Sequence, residues 1–423
     1  MVKSLPAMRT NARRLSASLH LIILAVLLAF PVSASAQLVL GQYEDEAPLR
    51  TWNIFGFQTA PSLGRGDTAF TIADDCSVAL TNPALLIDLP RFTATLNAPS
   101  YFTSLYKFSL INTGVLSTTR NPSLTLYALD FGGLSCQFRG WAFALTAALV
   151  EIYDRPSVRY EASYHGTLYY TLDFSQEGIL RTTNLSIARR LGRFQVGLGF
   201  NLASGDLKRE IVETYLDPGI TISDNKSQKF SGFFLNGGIV ARITDKWGAA
   251  LVFRTPYTKK SESKSELEYS APAGGTDIKI AADSSDTYKQ PLVLGLGISY
   301  KFSPNFQVFS DLSYFNWSGY SVEYFGEEME RNFRDTLKLG LGAEYVVHLR
   351  IFKADAFIPL RIGAAYDPQP MQEPNSAYTY FSAGTGLRWR MISLDFGASF
   401  GREKGSGNSL EARRISLSLS IHL

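Results

Sequence analysis

The sequence predicts an all-β fold, a transmembrane antiparallel β-barrel of about 14 strands with an N-terminal hatch inside its lumen. Although 45% of the 423 residues are hydrophobic, the chain beyond residue 36 has no apolar run of the roughly 20 residues that a membrane helix needs. From Arg91 onward, apolar and polar residues alternate in short runs, which is the period of a half-buried strand. Gly, Pro, Asn, Asp and Ser separate these runs, as turns between strands require.

The closing segment, 411–423, shows the alternation most clearly. Its Ile and Leu residues share one face of a strand, and Ser416, Ser418 and Ser420 share the other. In an outer-membrane barrel, apolar side chains face the lipid and small polar side chains face the interior. A soluble β-sandwich has a similar composition, but its solvent-exposed faces normally carry more charge. The pattern therefore favours a barrel.

Counting such runs gives about 15 segments, and we predict roughly 14 strands because bacterial barrels have even numbers. Two neighbouring segments are predicted at 157–174 and 179–191. The polar stretch from Lys259 to Gln290 is predicted to be a long external loop, with either lipopolysaccharide contact or no special role. Aromatic residues recur near segment ends, where their rings would lie at the lipid headgroups. The clearest examples are Tyr314, Phe315, Trp317, Tyr378, Tyr380 and Trp389.

Two regions precede the predicted strands. Residues 1–36 are predicted to be a signal peptide, because Arg9, Arg13 and Arg14 form a basic start, an apolar run follows, and small residues at 34–36 supply a cleavage site. The apolar run at 19–30 is too short for a retained membrane anchor. Residues 37–90 alternate poorly and contain several Gly and Pro. We predict that they form a compact hatch ahead of a barrel of residues 91–423.

Charge and rare residues exclude several functions. The net charge of +3 has no basic cluster behind it, so electrostatics gives no support for nucleic-acid binding. Outside the signal peptide and the C-terminus, the histidines are His165 and His348, and neither lies in a GxSxG or HExxH motif. The sequence therefore predicts no catalytic residue, cofactor or metal site. Cys76 and Cys136 could pair in an oxidising periplasm, or each could be a small buried residue.

One stretch carries a family resemblance. Residues 63–86 read LGRGDTAFTIADDCSVALTNPALL, and this order of motifs resembles the N-terminal region of the long-chain fatty acid transporter family, FadL and its TodX-like aromatic-hydrocarbon relatives. The C-terminal part is also similar, with Gln290-Pro291, Asp311 and Trp317, then the run LRIG around Arg361 and the run YDPQP at 366–370. The segment 91–290 is similar mainly in its strand pattern.

The resemblance implies a fold and a function. In that family, a barrel of about 14 strands is plugged by an N-terminal hatch, and a hydrophobic ligand leaves sideways through a gap in the wall. We therefore expect a monomer in the bacterial outer membrane that transports hydrophobic small molecules, either long-chain fatty acids or aromatic hydrocarbons, in contact with membrane lipid and lipopolysaccharide. The alternative is a FadL-like barrel that serves as a partner or shuttle in a protein-secretion system, because a fold alone does not fix a function.

Six residues of the matching stretch are expected to act in the hatch. Asn82, Pro83 and Ala84 would form a turn that sets the hatch conformation, unless it is an ordinary turn. Asp74 and Asp75 could bond to arginines that face the lumen, or they could cap a short helix. The sixth residue is Gly64, in the Leu-Gly-Arg motif.

Four basic residues of the strands would project inward in the predicted phase. They are Arg254, Lys338, Arg361 and Arg388. Each could hold a ligand carboxylate through charge-assisted hydrogen bonds. Three acidic residues share that face, namely Asp311, Glu344 and Asp395, so the cations could instead form a structural network. Arg361 is the first candidate for ligand binding because its motif also matches the family.

Overall fold

The computed structural model describes residues 56–104, 116–117, 123–153, 155–164, 167–217, 219–271, 275–324, 327–330, 333–373, 375–405 and 410–423. The predicted signal peptide and residues 37–55 of the predicted hatch lie outside this part. In the described ranges, no helix is both long enough and apolar enough to cross a membrane.

The described residues form mainly β-strands. The segments are β1 (Phe92–Ser104), β2 (Leu116–Ser117), β3 (Ser123–Tyr127), β4 (Phe131–Phe138), β5 (Trp141–Ile152), β6 (Arg155–Tyr164), β7 (Thr167–Leu191), β8 (Phe194–Tyr215), β9 (Ile220–Arg242), β10 (Trp247–Arg254), β11 (Tyr257–Ser270), β12 (Ile278–Gln290), β13 (Val293–Ser303), β14 (Phe306–Phe315), β15 (Ser321–Tyr324), β16 (Glu327–Glu330), β17 (Thr336–Ile351), β18 (Ala354–Pro368), β19 (Ala377–Trp389), β20 (Ile392–Lys404) and β21 (Glu411–His422).

All of these segments belong to one antiparallel sheet, and the sheet closes on itself. Strand β1 pairs with β21 in a register that places Thr93 opposite His422 and Ala98 opposite Leu417. Several consecutive segments form one long strand of the wall. Segments β10 and β11 both pair with β9, so they form one strand. Segments β12 and β13 pair with β11 and β10, so they form the next strand. Joined in this way, the described segments make a 14-stranded barrel, which confirms the predicted fold class.

The structure corrects two predicted elements. The predicted strand at 157–174 combines parts of two antiparallel strands. Strand β6 ends at Tyr164, and β7 begins at Thr167 and continues without a break to Leu191. Removing this false strand lowers the count of 15 to 14. The loop predicted from Lys259 to Gln290 is instead the hairpin of β11 and β12, paired from Tyr257 and Gln290 onward. Its polar residues are therefore part of paired strands and do not form an irregular loop.

Side-chain exposure follows the predicted alternation. Ile415, Leu417 and Leu419 are 45%, 48% and 42% exposed, whereas Ser416 and Ser418 are 0% and 1% exposed. The outer face is therefore apolar and the inner face is polar, as expected for a wall that faces lipid.

The predicted aromatic positions are mostly wrong. Phe315, Trp317, Tyr378 and Tyr380 are buried on the inner side rather than exposed at the rim, and Trp317 packs edge-on against Tyr320. Period-two alternation assigns a ring to a face only when its phase is known, and the last residues of a strand leave that phase open.

The N-terminal segment, which we define as residues 56–90, contains three short helices. They are α1 (Ala60–Gly64), α2 (Val78–Thr81) and a 3₁₀ helix (Pro83–Asp88). Proline begins the 3₁₀ helix, and Asn82 caps it by accepting a hydrogen bond from the Ala84 amide, the role that asparagine plays at helix starts. This segment contacts side chains of the inner wall, for instance where the Ala60 amide donates to Ser418 Oγ at 2.9 Å.

Glycines of the wall allow the N-terminal segment to approach the strands closely. A Cβ added to Gly197 would lie 2.3 Å from the Ala84 amide nitrogen, and one added to Gly363 would lie 2.2 Å from the Gly66 nitrogen. At Gly397 the added atom would lie 2.3 Å from the carbonyl oxygen of Ala60. Because glycine has no side chain, backbone can meet backbone at these positions.

Candidate functional site

A network of charges joins the N-terminal segment to strands β17, β18 and β20. Arg65 is fully buried and bonds to Asp74 and, at 3.0 Å, to Glu344. Arg361 donates to the same Glu344 carboxylate at 2.6 Å and to Asp395 at 2.6 Å. Each cation thus lies between two carboxylates, which offsets the cost of burying its charge.

The two adjacent carboxylates predicted for the hatch have separate roles. Asp74 pairs with Arg65, and Arg388 Nη2 lies 3.5 Å from it. Asp75 accepts a 2.7 Å bond from the Thr59 hydroxyl and a 2.8 Å bond from the Ser77 amide beside α2. One aspartate therefore meets lumen-facing arginines, and the other orders the local backbone.

These surroundings give the two carboxyl groups opposite pKa shifts. Burial alone would raise the pKa of Asp74, but the charge and hydrogen bond of Arg65 hold it below its usual range. Burial raises the pKa of Asp75, and the negative charge of Asp74 adds to the increase, although bonds from Ser77 and Thr59 oppose it. Ionisation is therefore favoured at one residue and disfavoured at the next.

The two cysteines are not paired. Cys76 is buried and Cys136 is exposed, and the Cys76 thiol lies 3.3 Å from the Thr93 carbonyl oxygen. Burial raises the pKa of the Cys76 thiol to about 12, so it is an inert structural group.

Further hydrogen bonds hold Asn82 in place and join the N-terminal segment to Asp311 and Lys338 of the wall. The Asn82 side-chain amide donates to the Phe70 carbonyl at 2.6 Å. Asp311 of β14 accepts from the Ala69 and Phe70 amides at 2.6 and 2.9 Å. Lys338 of β17 donates to Asp67 at 2.8 Å.

The four predicted inward-facing cations differ in their partners. Arg361, Lys338 and Arg388 all lie within ion-pair distance of carboxylates. Arg254 differs, because its guanidinium makes no ion pair with any described residue, and its Nε has no hydrogen-bond partner among them. Its guanidinium carbon lies 6.0 Å from the centroid of the Phe234 ring.

Arg254 lines a cavity of about 60 Å³ between the start of the N-terminal segment and the inner wall. Five side-chain atoms of its lining are buried without a hydrogen-bond partner in the described part of the chain: Gln58 Nε2, Thr182 Oγ1, Arg254 Nε, Gln290 Nε2 and Arg414 Nε. Four of these are nitrogen donors. Since buried donors are nearly always satisfied in folded proteins, the cavity is suited to a ligand that offers acceptors.

The rest of the lining is mostly apolar, but it also includes Tyr101, Tyr257 and one acid, Glu151, whose carboxylate pairs with Lys259. Phe57, Leu80, Leu149, Val150 and Phe234 contribute to the lining, and the Phe234 ring stacks on Tyr257 at a centroid distance of 4.7 Å. Arg414 is itself oriented by Gln58, which accepts from it through the side-chain oxygen at 2.6 Å. That bond also fixes the orientation of the Gln58 amide, so its NH₂ group points away from Arg414.

Sequence reasoning identified only one residue of this cavity as a binding candidate, Arg254. It missed Gln58, Thr182 and Arg414, and it noted Gln290 only for its family resemblance. The available signal was alternation, since Thr182 and Arg414 lie on the buried face of their strands. Alternation predicts the face of the strand on which a residue lies, but it does not predict which residues it contacts across the barrel. In the described ranges, no group of three or more His, Cys, Asp or Glu could hold a metal ion.

A closed antiparallel wall with an apolar outside and a polar inside defines an outer-membrane β-barrel. Comparison with known proteins agrees. A family model described as "Outer membrane protein transport protein (OMPP1/FadL/TodX)" matches residues 58–414. The chain belongs to this family, and its location is the bacterial outer membrane. No curated protein sequence matches the chain significantly.

Solved structures share the fold at low identity. The CymD monoaromatic hydrocarbon channel is 16% identical with a TM-score of 0.61, over 86% of this chain and 98% of that one. A Pseudomonas aeruginosa FadL homologue is 14% identical with a TM-score of 0.61, over 87% and 99%. The Ralstonia pickettii toluene transporter TbuX is 16% identical with a TM-score of 0.60, over 88% and 98%. At these identities the likeness establishes the fold.

Proposed function

We propose that this barrel takes up hydrophobic molecules that carry an acceptor-rich head group, above all long-chain carboxylates, and that the head group binds in the cavity beside Arg254. Family membership supports the transport of hydrophobic molecules in general. The observation that supports the carboxylate is the set of four partnerless nitrogen donors around one cavity.

The chemistry of the lining favours an anion over a neutral hydrocarbon. Hydrogen bonds from Arg254 to a carboxylate would be charge-assisted, and such bonds contribute about 1.5–3 kcal/mol each. An aromatic hydrocarbon has no acceptor and would leave the Gln58 and Gln290 amides unsatisfied. A cavity of about 60 Å³ has room for a few water-sized groups, so it fits a head group while the apolar tail extends beyond it.

The other predicted cations contribute to ligand binding only indirectly. The carboxylates that already pair with Lys338, Arg361 and Arg388 would compete with a ligand for them. We infer that the pairs of Lys338 with Asp67 and of Arg388 with Asp74 hold the N-terminal segment against the wall, whereas Arg361 orients Glu344 toward Arg65. We also infer that this segment closes the barrel to free diffusion. Gly64, Asp74, Asp75 and the Asn82 turn would act within that closure.

We infer that the ligand leaves sideways into the membrane rather than into periplasmic water. A hydrocarbon chain gains about 0.8 kcal/mol per buried CH₂ group, and a sideways exit keeps that gain. An irregularity of the wall borders the cavity: β5 ends at Ile152, and the β5–β7 register shifts between Leu149 and Glu151. We infer that the exit lies at this interruption.

The remaining expectations follow from the family. The family and the matched structures are transport proteins, so we infer that the chain has no catalytic activity. Neither the structure nor the comparisons favour the secretion-shuttle alternative. A monomer in contact with membrane lipid and lipopolysaccharide stays our working assumption.

Ligand binding by the purified protein tests the proposal. Replacing Arg254→Gln should weaken binding of a long-chain alkanoate by about tenfold to a hundredfold, since at least one charge-assisted hydrogen bond is lost. Binding of the uncharged alkanol of equal length should change little. The measurement is tryptophan quenching or calorimetry in a non-ionic detergent.

Arg413→Gln is the matched control, because Arg413 is an exposed cation next to Arg414 on the other face of β21. It should bind the alkanoate like the wild-type protein. Equal affinity of the Arg254→Gln variant and the wild-type protein for the alkanoate would contradict the proposed head-group site.

A further inference from the structure

The two ends of the barrel have different turns. At one end, the connections β4–β5, β7–β8, β9–β10, β13–β14, β17–β18 and β19–β20 contain two to four residues each. Both ends of the barrel chain, Phe92 and Leu423, also meet there, where the two residues exchange backbone hydrogen bonds. In outer-membrane barrels the short turns face the periplasm, so this end, which we name the short-turn rim, lies at the periplasmic leaflet.

The short-turn rim carries an excess of positive charge. Six exposed cations in or beside its turns have no carboxylate partner among the described residues: Arg139, Arg193, Lys246, Arg350, Lys353 and Arg390. Asp245 lies in one of these turns and Asp355 lies beside another, and Asp355 already pairs with His348 at 3.1 Å. The cations come from five different connections, so they are distributed around the circumference rather than gathered on one strand.

Aromatic rings mark the depth of this rim in the membrane. Phe138, Trp141, Trp247 and Phe302 are 59%, 36%, 46% and 55% exposed on the outer surface near the turns. Such rings lie at the level of the lipid headgroups. Guanidinium groups lie directly over rings of this rim, with Arg139 5.0 Å from the Phe138 centroid and Arg390 4.7 Å from that of Trp389.

At the opposite end, the described β11–β12 hairpin shows no such excess. In the β11–β12 hairpin, lysines and carboxylates alternate in similar numbers, and Lys279 pairs with Glu266 at 2.5 Å. Lys289 pairs with Glu328 across to β16, also at 2.5 Å. Among the described residues, this hairpin therefore differs in charge from the short-turn rim.

We propose that the short-turn rim binds the phosphate groups of anionic phospholipids in the periplasmic leaflet. Guanidinium groups bind phosphate oxygens through paired hydrogen bonds, and each cation near an anionic membrane surface strengthens attraction by about fivefold. The rings fix the cations at phosphate depth, and charge complementarity selects anionic over zwitterionic lipid. This binding orients and seals the barrel in the inner leaflet, and it does not depend on which ligand the barrel transports.

Lipid retention by the purified full-length protein tests this proposal. The protein in non-ionic detergent is mixed with equal amounts of phosphatidylglycerol and phosphatidylcholine, and bound lipids are counted by native mass spectrometry. The test variant combines Arg193→Gln, Lys246→Gln and Arg350→Gln, which remove cations from three different turns. We expect the wild-type protein to retain phosphatidylglycerol preferentially, and the variant to bind it at least about tenfold more weakly.

The control variant removes the same number of exposed cations from the opposite end, by Lys208→Gln, Lys229→Gln and Lys264→Gln, and it should retain the wild-type preference. Raising the salt to about 1 M should reduce the preference of the wild-type protein, since exposed charges are then screened. This salt titration decides the matter even if the test variant fails to fold. Equal retention of the two lipids by the wild-type protein, or an equal loss in the control variant, would overturn the proposal.

Discussion

Asp74 and Asp75 are neighbours in the chain, yet their carboxyl groups respond to pH in opposite ways. Asp74, with its pKa held low by Arg65, contributes stability that is present above the unfolded value of about 3.9 and is lost as pH falls through its lowered pKa. Asp75, with its pKa raised by burial, contributes stability that is present below about 3.9 and is lost as pH rises through its raised pKa.

The effects of Asp74→Asn and Asp75→Asn on stability, relative to the wild-type protein, should therefore change in opposite directions as the pH rises. At neutral pH, Asp74→Asn should lower stability by about 3 kcal/mol, because it leaves a buried Arg65 with only one carboxylate, and this loss should fade in acid. Relative to the wild-type protein, Asp75→Asn should gain stability as the pH rises from 4 to 8. The measurement is the thermal midpoint of the detergent-solubilised protein as a function of pH.

Parallel pH profiles for these two variants would contradict the assignment of opposite shifts. Asp173→Asn serves as the control, since Asp173 pairs with the exposed Arg159 and surface pairs contribute little. Its profile should follow that of the wild-type protein.

At single residues, the sequence predicted which face of a strand a side chain lies on better than it predicted the residue with which that side chain pairs. The alternation correctly placed Lys338, Glu344 and Arg361 on the inner face. It could not predict that Arg361 lies between Glu344 and Asp395, because these residues come from β17 and β20 on either side of its own strand in space. Pairing of this kind depends on register, and register depends on hairpins whose turns were only roughly located.

Among the elements, the wall glycines explain how the N-terminal segment fits. In the sequence they read as small residues opposite an apolar face. In the structure, Gly197, Gly363 and Gly397 occur where backbone of the segment touches the strands. These three glycines therefore mark positions at which the backbone of the N-terminal segment lies against the wall.

Gly197→Ala should loosen the N-terminal segment without opening the barrel. The new methyl group would lie 2.3 Å from the Ala84 nitrogen, and such overpacking costs about 1–3 kcal/mol. Limited proteolysis should then cut within residues 56–90 at least severalfold faster, while the strands stay protected.

Gly232→Ala is the matched control on the neighbouring strand. Its added methyl group would meet the Tyr257 side chain at 3.1 Å and no residue of the N-terminal segment. Equal proteolysis rates for the two variants would argue against close backbone contact at Gly197.

The hairpin of β11 and β12 illustrates why some elements escape prediction. Most of its residues are polar on both faces, even where one face is buried, as at Lys259, Ser261 and Asp286. A hydrophobic alternation records the boundary between lipid and interior, and it disappears where the outer face no longer meets lipid. The strand boundaries at Tyr164 and Thr167 were not predicted for a different reason, since the end of β6 and the start of β7 contain the same types of residue. A pattern of hydrophobicity therefore predicts the membrane-spanning parts of this barrel and little beyond them.

At the scale of the whole molecule, the outer face sets the environment that the protein requires. Its apolar side chains, such as Leu296 and Leu417 at 47% and 48% exposure, form a band that only lipid or detergent can cover. In the described part of the chain, β1 and β21 pair with each other, so the sheet closes without an open first or last strand, which is a condition for crossing a membrane with strands.

Leu417→Arg should destabilise the folded barrel in lipid vesicles by about 2–4 kcal/mol, the cost of a cation near the middle of the bilayer. Phe352→Arg provides the contrast, because Phe352 lies in a short turn and is 85% exposed. It should change stability little. Urea titration in vesicles measures both, and similar losses for the two variants would contradict the assigned depth.

The distribution of charge is a property of the whole molecule that the sequence concealed. The cations of the short-turn rim are separated by up to some hundreds of positions in the chain, so no window of residues contains a basic cluster. Only closure of the sheet brings Arg139 and Arg390 to the same end. The strand number, in contrast, was predictable, because each crossing repeats the same local pattern.

The seam between β1 and β21 has a consequence for biogenesis. Since the Leu423 amide donates to the Phe92 carbonyl at 2.8 Å, β1 lacks one of its two neighbours until β21 has been delivered. The contact of Ala60 with Ser418 adds a further condition, because it joins the earliest described helix to that same final strand. Closure of the barrel must therefore wait for β21, and the helix that contacts β21 has to be in position while the cylinder is still open.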